Sequence, residues 1–587
     1  MKNLKIVLIA SLFAFCTVGL NAQETKKQWV NSKLKSMTLR QQIAQLFVVA
    51  CYPERGEEYL KKIYKTVHDE QIGGIIWGEC SPTMCIETLN RLQSQVDIPL
   101  LVTIDAEWGV SMRLDSVTKF PYQLTLGAIQ NNELIYDFGV EVARQCREIG
   151  AHFNFAPVVD INNNPNNPVI NTRSFGENKY KVTEKAYSYM KGMQDGGILT
   201  SLKHFPGHGD TDKDSHKELP TILHDRKRIE DIELYPFREL IKRGATGVMT
   251  GHLRIPALSD DGDIPSSQSK EICTNLLQKK MKFKGLVVTD GLEMRGAIAN
   301  RDTAKVAMYS LIAGNDILEI PVDVIKSIDE IEKAVQNGEI SKKLILDKCK
   351  KILDAKYDLG LHKGFEPINP QGILERLNTA ESKALRYKLA EASLTLISNK
   401  NVLPIISTKI EYVEVGKGMG KTFKTQLKEY CAVDTFTTSF NVGNTIFKNA
   451  RCYRIDVDTF SLNVKNTQED IDSLAANLSD AETIIIGYYG TSRRPHDNFG
   501  LDSLVIDFVD NLTIDKNVIL VFFGNPYAIA KFKNVERLAA ILVAYDNSDE
   551  AQICSAKALF GKQKTFGKLP VSINDTYKED FGIDWLN

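Results

Sequence analysis

The sequence has no surplus of charge of either sign. Its 587 residues carry 73 Lys+Arg against 74 Asp+Glu, a formal net charge of -1. No basic excess is available to hold a polyphosphate, and generic nucleic-acid binding is disfavoured. A second long apolar run is also lacking. Lys2 and Lys5 precede the apolar run 6–20, and Ala22 ends it before Gln23 and Glu24. This pattern reads as a secretory signal peptide over 1–22. The run falls short of the ~20 apolar residues that cross a bilayer. No transmembrane segment is therefore expected after its removal, and the mature chain is expected in the periplasm or outside the cell. Cys16 lies within the run, but the bulky Phe13 and Phe15 beside it rank lipid attachment second. A disulfide framework is missing too: of ten cysteines, Cys16 leaves with the leader, and the odd remainder cannot all pair within one chain. Cys80 and Cys85 are close enough to close a small loop, whereas Cys51, Cys146, Cys273 and Cys349 read as isolated buried thiols. There is no repeat of fixed period and no low-complexity tract.

What is present is the mixture of an ordinary globular protein, 43% apolar and 25% charged, long enough for two to four cores. Short branched, apolar runs recur at 46–51, 74–77, 100–105, 153–160, 200–205, 247–252, 285–290 and 316–321. Amphipathic stretches of helical length lie between them, at 132–149, 179–195, 229–243 and 269–282. Eight strands alternating with helices suit a (β/α)8 TIM-like barrel, although a doubly wound sheet would alternate likewise. The polar residues decide for the barrel. Asp105, Asp160, His204, His252 and Asp290 each end a different strand candidate, and only a barrel gathers so many strand ends at one mouth. A basic amphipathic helix at 341–356 and a Gly- and Pro-containing stretch follow. A second strand series at 394–398, 410–415, 483–487, 518–524 and 540–544 predicts a smaller α/β sandwich domain. The expected division is 1–22 signal peptide, 23–362 barrel, 363–380 linker and 381–587 C-terminal domain. The segment 436–470 is the least readable.

The densest chemistry is Lys203-His204-Phe205-Pro206-Gly207-His208-Gly209-Asp210-Thr211-Asp212-Lys213-Asp214-Ser215-His216. A solvated polar loop is the plain alternative. A metal site fits poorly, because Pro206 and the glycines disfavour a helix and no partner His-x-His pair occurs elsewhere. Acid/base catalysis fits better. Across one intervening residue, the Asp214 carboxylate can accept a hydrogen bond from one nitrogen of His216, leaving the other for substrate. A second constellation, Val287-Val288-Thr289-Asp290-Gly291-Leu292-Glu293-Met294, is an apolar strand ending in a carboxylate. Its plain alternative is a helix cap. At a barrel mouth such a carboxylate can attack a sugar carbon opposite a proton donor, as in a retaining glycosidase. His208, Asp210 and Asp212 read as loop-shaping residues and Glu293 as structural. His252 and Arg254 either line the pocket or serve packing.

Together, 203–216 and 288–294 closely resemble bacterial β-N-acetylglucosaminidases of glycoside hydrolase family 3. The resemblance extends to 104–113, 171–176, 390–404 and 567–570. It implies that Asp290 is the nucleophile of a covalent glycosyl-enzyme and that His216, polarised by Asp214, is the acid/base. It further implies that Asp105, Arg113, Arg173, Lys203 and His204 hold the hydroxyl and acetamido groups of a terminal N-acetylglucosamine. No metal and no organic cofactor is implied, and the partner is a carbohydrate. The family commonly has a glutamine and a second glycine where Ala106 and Trp108 stand, so that wall of the pocket is expected to differ. The Asp-x-His pair favours a hexosaminidase over a β-glucosidase of the same family. A phosphorylase, a metal-dependent hydrolase and a non-catalytic sugar-binding protein are the remaining alternatives. Oligomeric state is unreadable.

Overall fold

The computed structural model describes residues 24–215, 217–260, 262–406, 410–416, 418–430 and 467–585, with three short strands between 437 and 455. The leader 1–22 with Cys16, the acid/base candidate His216 and most of 436–470 lie outside the described residues.

Eight parallel strands form the first domain: β1 (Phe47–Cys51), β2 (Gly74–Trp77), β3 (Leu101–Ile104), β4 (Phe153–Asn154), β5 (Leu199–Phe205), β6 (Gly247–Thr250), β7 (Leu286–Thr289) and β8 (Leu318–Glu319). They pair in the order β7-β6-β5-β4-β3-β2-β1-β8. A parallel bridge from Val288 to Ile317 joins the two ends of that order. The alternation read from the sequence is therefore a TIM-like barrel. Its strands read as continuous apolar runs because one face fills the barrel interior and the other lies under helices.

The helices form where capping and amphipathic spacing agree. Asn131 and Asn178 accept backbone N–H groups at the starts of Asn132–Glu148 and Lys179–Asp195, satisfying donors that a helix leaves open. These two helices approach closely because Gly139 and Gly192 sit at their crossing. A Cβ on Gly192 would lie 2.2 Å from the carbonyl oxygen of Tyr136. The helix expected over 229–243 is instead two, Arg226–Asp231 and Leu234–Lys242. Pro236 has no N–H to offer the preceding turn, and Glu233 is buried at the junction in an ion pair with Arg228 at 2.6 Å.

The stretch after the barrel is strapped down. Asn90 Nδ2 donates to Ile368 O at 2.8 Å, and Arg376 Nε meets Glu148 at 2.7 Å. The second domain has β9 (Thr395–Asn399), β10 (Ile410–Val415), β11 (Thr437–Thr438), β12 (Thr445–Ile446), β13 (Ala450–Ile455), β14 (Thr483–Tyr488), β15 (Asn517–Phe522) and β16 (Ala540–Val543). They form one mixed sheet in the order β11-β12-β13-β10-β14-β15-β16-β9. Its central strands bury both faces by strict alternation. Ile484, Ile486, Val518 and Leu520 join one core cluster, and Ile485, Ile519 and Val521 join the other. Cys80 and Cys85 form a disulfide, and Cys51, Cys146, Cys273 and Cys349 are buried free thiols. Among the described residues no helix is long and apolar enough to cross a membrane.

Candidate active site

The C-terminal ends of the barrel strands carry the polar residues, because there the chain leaves the sheet and its side chains face the mouth. Asp105 follows β3, and the turn after it returns Arg113 to the same point. Arg113 Nη2 donates to Asp105 Oδ2 at 2.5 Å. Lys203, two residues before the end of β5, donates from Nζ to Asp105 Oδ1 at 2.7 Å and lies 2.8 Å from Glu107 Oε1. Arg173, on the short turn Asn171–Arg173, grips Glu107 through Nη2 at 2.7 Å and Nε at 3.0 Å. Its Nη2 also lies 3.2 Å from His204 Nε2.

Burial alone would raise the carboxyls of Asp105 and Glu107. The adjacent cations reverse that and hold both below the usual carboxylate range, Lys203 and Arg113 acting on Asp105, Arg173 and Lys203 on Glu107. Arg113, Lys203 and Arg173 interlock with Asp105 and Glu107, and the buried carboxylate of Asp160 lies on the far side of His204. Asp160 fixes the other side of His204. Its Oδ2 lies 2.7 Å from His204 Nδ1, and it accepts the backbone N–H groups of His204 and His208 at 3.1 and 2.7 Å. Arg173 can only donate, so these partners ask Nε2 of His204 to accept and Nδ1 to donate to Asp160.

Asp290 stands directly after β7, half-buried at the pocket. Its N–H donates to Thr250 O at 2.9 Å, and its Oδ1 accepts the Gly291 N–H at 2.8 Å. Burial pushes this carboxyl up, but His204, His252, the Gly291 amide and Lys203 together hold it below its ordinary value. The group is an ionised carboxylate with one oxygen oriented by its own turn. His252 braces that turn: Nε2 lies 3.0 Å from the Gly291 carbonyl oxygen and Nδ1 2.8 Å from Ser267 Oγ. Arg254 turns away to Asp263 at 2.9 Å.

The loop after β5 is held by its own side chains and by Asn167, whose Nδ2 donates to His208 O at 2.8 Å and Gly209 O at 3.0 Å. His208 is buried and spans it, Nδ1 lying 2.9 Å from Thr211 Oγ1 and Nε2 3.1 Å from Ser215 Oγ. Burial above all pushes it down to about 4, so it braces the loop as a neutral ring. Asp210 meets His224 at 2.6 Å, and Asp212 is exposed. Gly209 is required here, since a Cβ on it would lie 1.8 Å from Ile161 O. Asp214 lines a cavity of about 250 Å³ with Pro168 to Arg173, Arg493 and Arg494.

The floor thus brings Asp105, Arg113, Arg173, Lys203 and His204 together, with Asp290 electrostatically coupled to it and Asp214 on the wall beside Arg173. Sequence reasoning assigned no role to Glu107, although it lies in a quoted motif two residues past Asp105. It also left Asp160 as a strand-end residue without a partner. Arg493 and Arg494 carried no sequence signal, because only the packing of the second domain brings them near. That packing is specific: Asn525 Nδ2 donates to Asn171 Oδ1 at 2.6 Å, Ser572 Oγ to Glu177 Oε1 at 2.6 Å, and Asn162 Nδ2 to the Tyr527 hydroxyl at 3.0 Å. Trp108 packs edge-on against Tyr122 at 4.6 Å, and the Arg493 guanidinium lies 5.0 Å from the Tyr122 ring.

A closed parallel barrel with an ionised carboxylate after β7 and an ion-paired floor is the architecture of a glycoside-cleaving barrel enzyme. The chain belongs to glycosyl hydrolase family 3: residues 38–355 match the model of the family's N terminal domain and 394–582 that of its C-terminal domain. It is similar to beta-hexosaminidase A of Pseudoalteromonas piscicida, 32% identical over 337 residues, 53% of this chain and 56% of that protein. The match therefore spans little more than half the length of that relative. Beta-hexosaminidase LpqI of Mycobacterium tuberculosis is 32% identical over 317 residues, 51% of this chain and 78% of that one. Among solved structures, a glycoside hydrolase family 3 beta-N-acetylglucosaminidase from Paenibacillus sp. is similar over 92% of this chain and 99% of its own, with a TM-score of 0.76 and 27% identity.

Proposed function

We propose that the protein is a retaining, exo-acting β-N-acetylglucosaminidase that releases terminal β-linked N-acetylglucosamine by double displacement. The observation that carries this reading is the carboxylate of Asp290, directly after β7, held below its ordinary value by His204, His252, the Gly291 amide and Lys203 of the same pocket. In the first step the Asp290 carboxylate attacks the anomeric carbon, and the glycosidic oxygen leaves with a proton from His216, which Asp214 orients. In the second, water attacks the glycosyl ester, and His216 takes its proton. Asp105, Arg113, Arg173, Lys203 and His204 bind the sugar, and bonds that tighten as positive charge grows on the ring lower the barrier. The hexosaminidase names of the relatives support the choice of sugar. The leader read at 1–22 supports export, and cell-wall fragments are the proposed substrate class.

The test is hydrolysis of an aryl N-acetyl-β-glucosaminide followed by polarimetry or NMR. The expected first product is the β anomer. An α anomer, or unchanged turnover in Asp290→Ala, contradicts the mechanism. A second reading, phosphorolysis, is favoured by one feature, the Arg493 and Arg494 pair beside Asp214, which supplies positive charge where an anionic acceptor would enter. Phosphate-dependent formation of a sugar 1-phosphate distinguishes it.

A further inference from the structure

Glu319 ends β8 and lies next to the nucleophile's strand. Its N–H donates to Thr289 Oγ1 at 2.9 Å, and its carbonyl oxygen accepts the N–H of Leu292 at 2.9 Å. These bonds fix its backbone against the turn that carries Asp290. The residue is 3% exposed, and its Oε2 has no hydrogen-bond partner among the described residues. An unpartnered carboxyl oxygen in such a place is costly, and a buried polar group kept without a partner calls for a ligand that supplies one. The floor carboxylates are taken by the floor cations, Asp105 by Arg113 and Lys203 and Glu107 by Arg173 and Lys203, while Arg113 Nε, like Glu319 Oε2, is buried without a partner among the described residues. Glu319 is the group in that cluster whose buried oxygen none of them satisfies.

We propose that Glu319 is a specificity-determining residue of the terminal-sugar pocket, its carboxyl group exchanging a hydrogen bond with one ring hydroxyl of the substrate. The groups that act on it are Asp105 after β3, Asp290 after β7, Lys203 of β5 and Arg113. Burial and the two carboxylates push Glu319 well above the usual carboxylate range, against the pull of Lys203 and Arg113. A carboxylic acid kept neutral both donates and accepts, which matches a sugar hydroxyl.

This inference rests on the pocket being a sugar site, and the experiment separates the two. Aryl N-acetyl-β-glucosaminide and its 3-, 4- and 6-deoxy analogues are assayed with wild type, Glu319→Gln and Glu319→Leu. The expected result is that Glu319→Leu lowers kcat/KM for the parent by about tenfold to a hundredfold while leaving one deoxy analogue unchanged. Glu319→Gln, whose amide still donates and accepts, is expected to stay within about threefold of wild type on all substrates. Equal loss on the parent and every analogue, wild-type behaviour of Glu319→Leu, or collapse of activity in a folded Glu319→Gln each overturns the proposal. Absence of wild-type turnover on every aryl glycoside would instead overturn the sugar-site reading itself.

Discussion

The floor of the pocket and its rim hold charge in different ways. On the floor, Lys203 and Glu107 are 2% and 0% exposed in their side chains, and every cation is matched to a carboxylate within 3 Å. At the rim, Asp214 is half-buried and Arg493 and Arg494 are exposed, and the loop is held by His208 reaching Thr211 and Ser215. Buried, interlocked groups keep their geometry before substrate arrives, so under the proposed function the floor would orient a sugar at little reorganisation cost. A proton donor has to serve two steps on one face of the sugar. In the proposed mechanism that donor belongs to the loop after β5, which is more exposed than the floor at Asp212 and Lys213. The proposed mechanism places binding on the floor and proton transfer at the rim, and the contrast agrees with that division.

The largest effect that would break this contrast comes from the nucleophile. Asp290→Ala is expected to lower kcat by about 10⁴-fold or more with an unchanged melting temperature; comparable turnover by the variant would remove the chemistry from the floor. Next is the rim: Asp214→Asn should cost about 10²- to 10⁴-fold with substrates whose leaving group needs a proton. With an activated aryl group the loss should be much smaller, and a uniform loss across leaving groups would deny it a part in proton transfer.

Glu107→Gln sharpens the floor. It leaves Arg173 and Lys203 short of a buried partner, which should destabilise the fold by about 3 to 5 kcal/mol and lower kcat/KM by about 10²-fold through misplacement of Arg173. The sign with pH follows from the lowered Glu107 carboxyl. Its contribution to stability is complete above the unfolded value of about 4.3 and is lost as pH falls through its folded value of about 2. Acid melts of wild type and Glu107→Gln should therefore converge. The smallest effect is at the edge: Arg493→Ala should raise KM for substrates with extended leaving groups by at most about fivefold, leaving simple aryl glycosides unchanged.

Much of this was legible in the chain. The eight barrel strands are short apolar runs whose spacing leaves room for one helix each, and Asp105, His204 and Asp290 mark strand ends because a polar residue breaks each run. Where sequence and structure part, the cause is tertiary. The helix over 229–243 splits at a buried Glu233 whose partner, Arg228, shows only in three dimensions. Glu107 hides because a charged residue inside a turn motif looks solvated until Arg173, 66 residues later, folds onto it. Glu319 hides for another reason: inside the run 316–321 a single carboxylate carries no sign of the Asp290 turn against which it is buried. Arg493 reaches the rim only because Asn525, Tyr527 and Ser572 dock the second domain on the Arg173 segment. The close approach at Gly176, whose Cβ would lie 2.3 Å from Pro570 O, is likewise unreadable without that docking.

The most direct measurement is to trap the glycosyl-enzyme with a fluorinated N-acetylglucosaminyl donor that forms the intermediate quickly and releases it slowly, then to map the modified peptide by mass spectrometry. The account predicts one sugar per chain, esterified to Asp290. A label on another carboxylate, or turnover with retention and no covalent adduct, would contradict it.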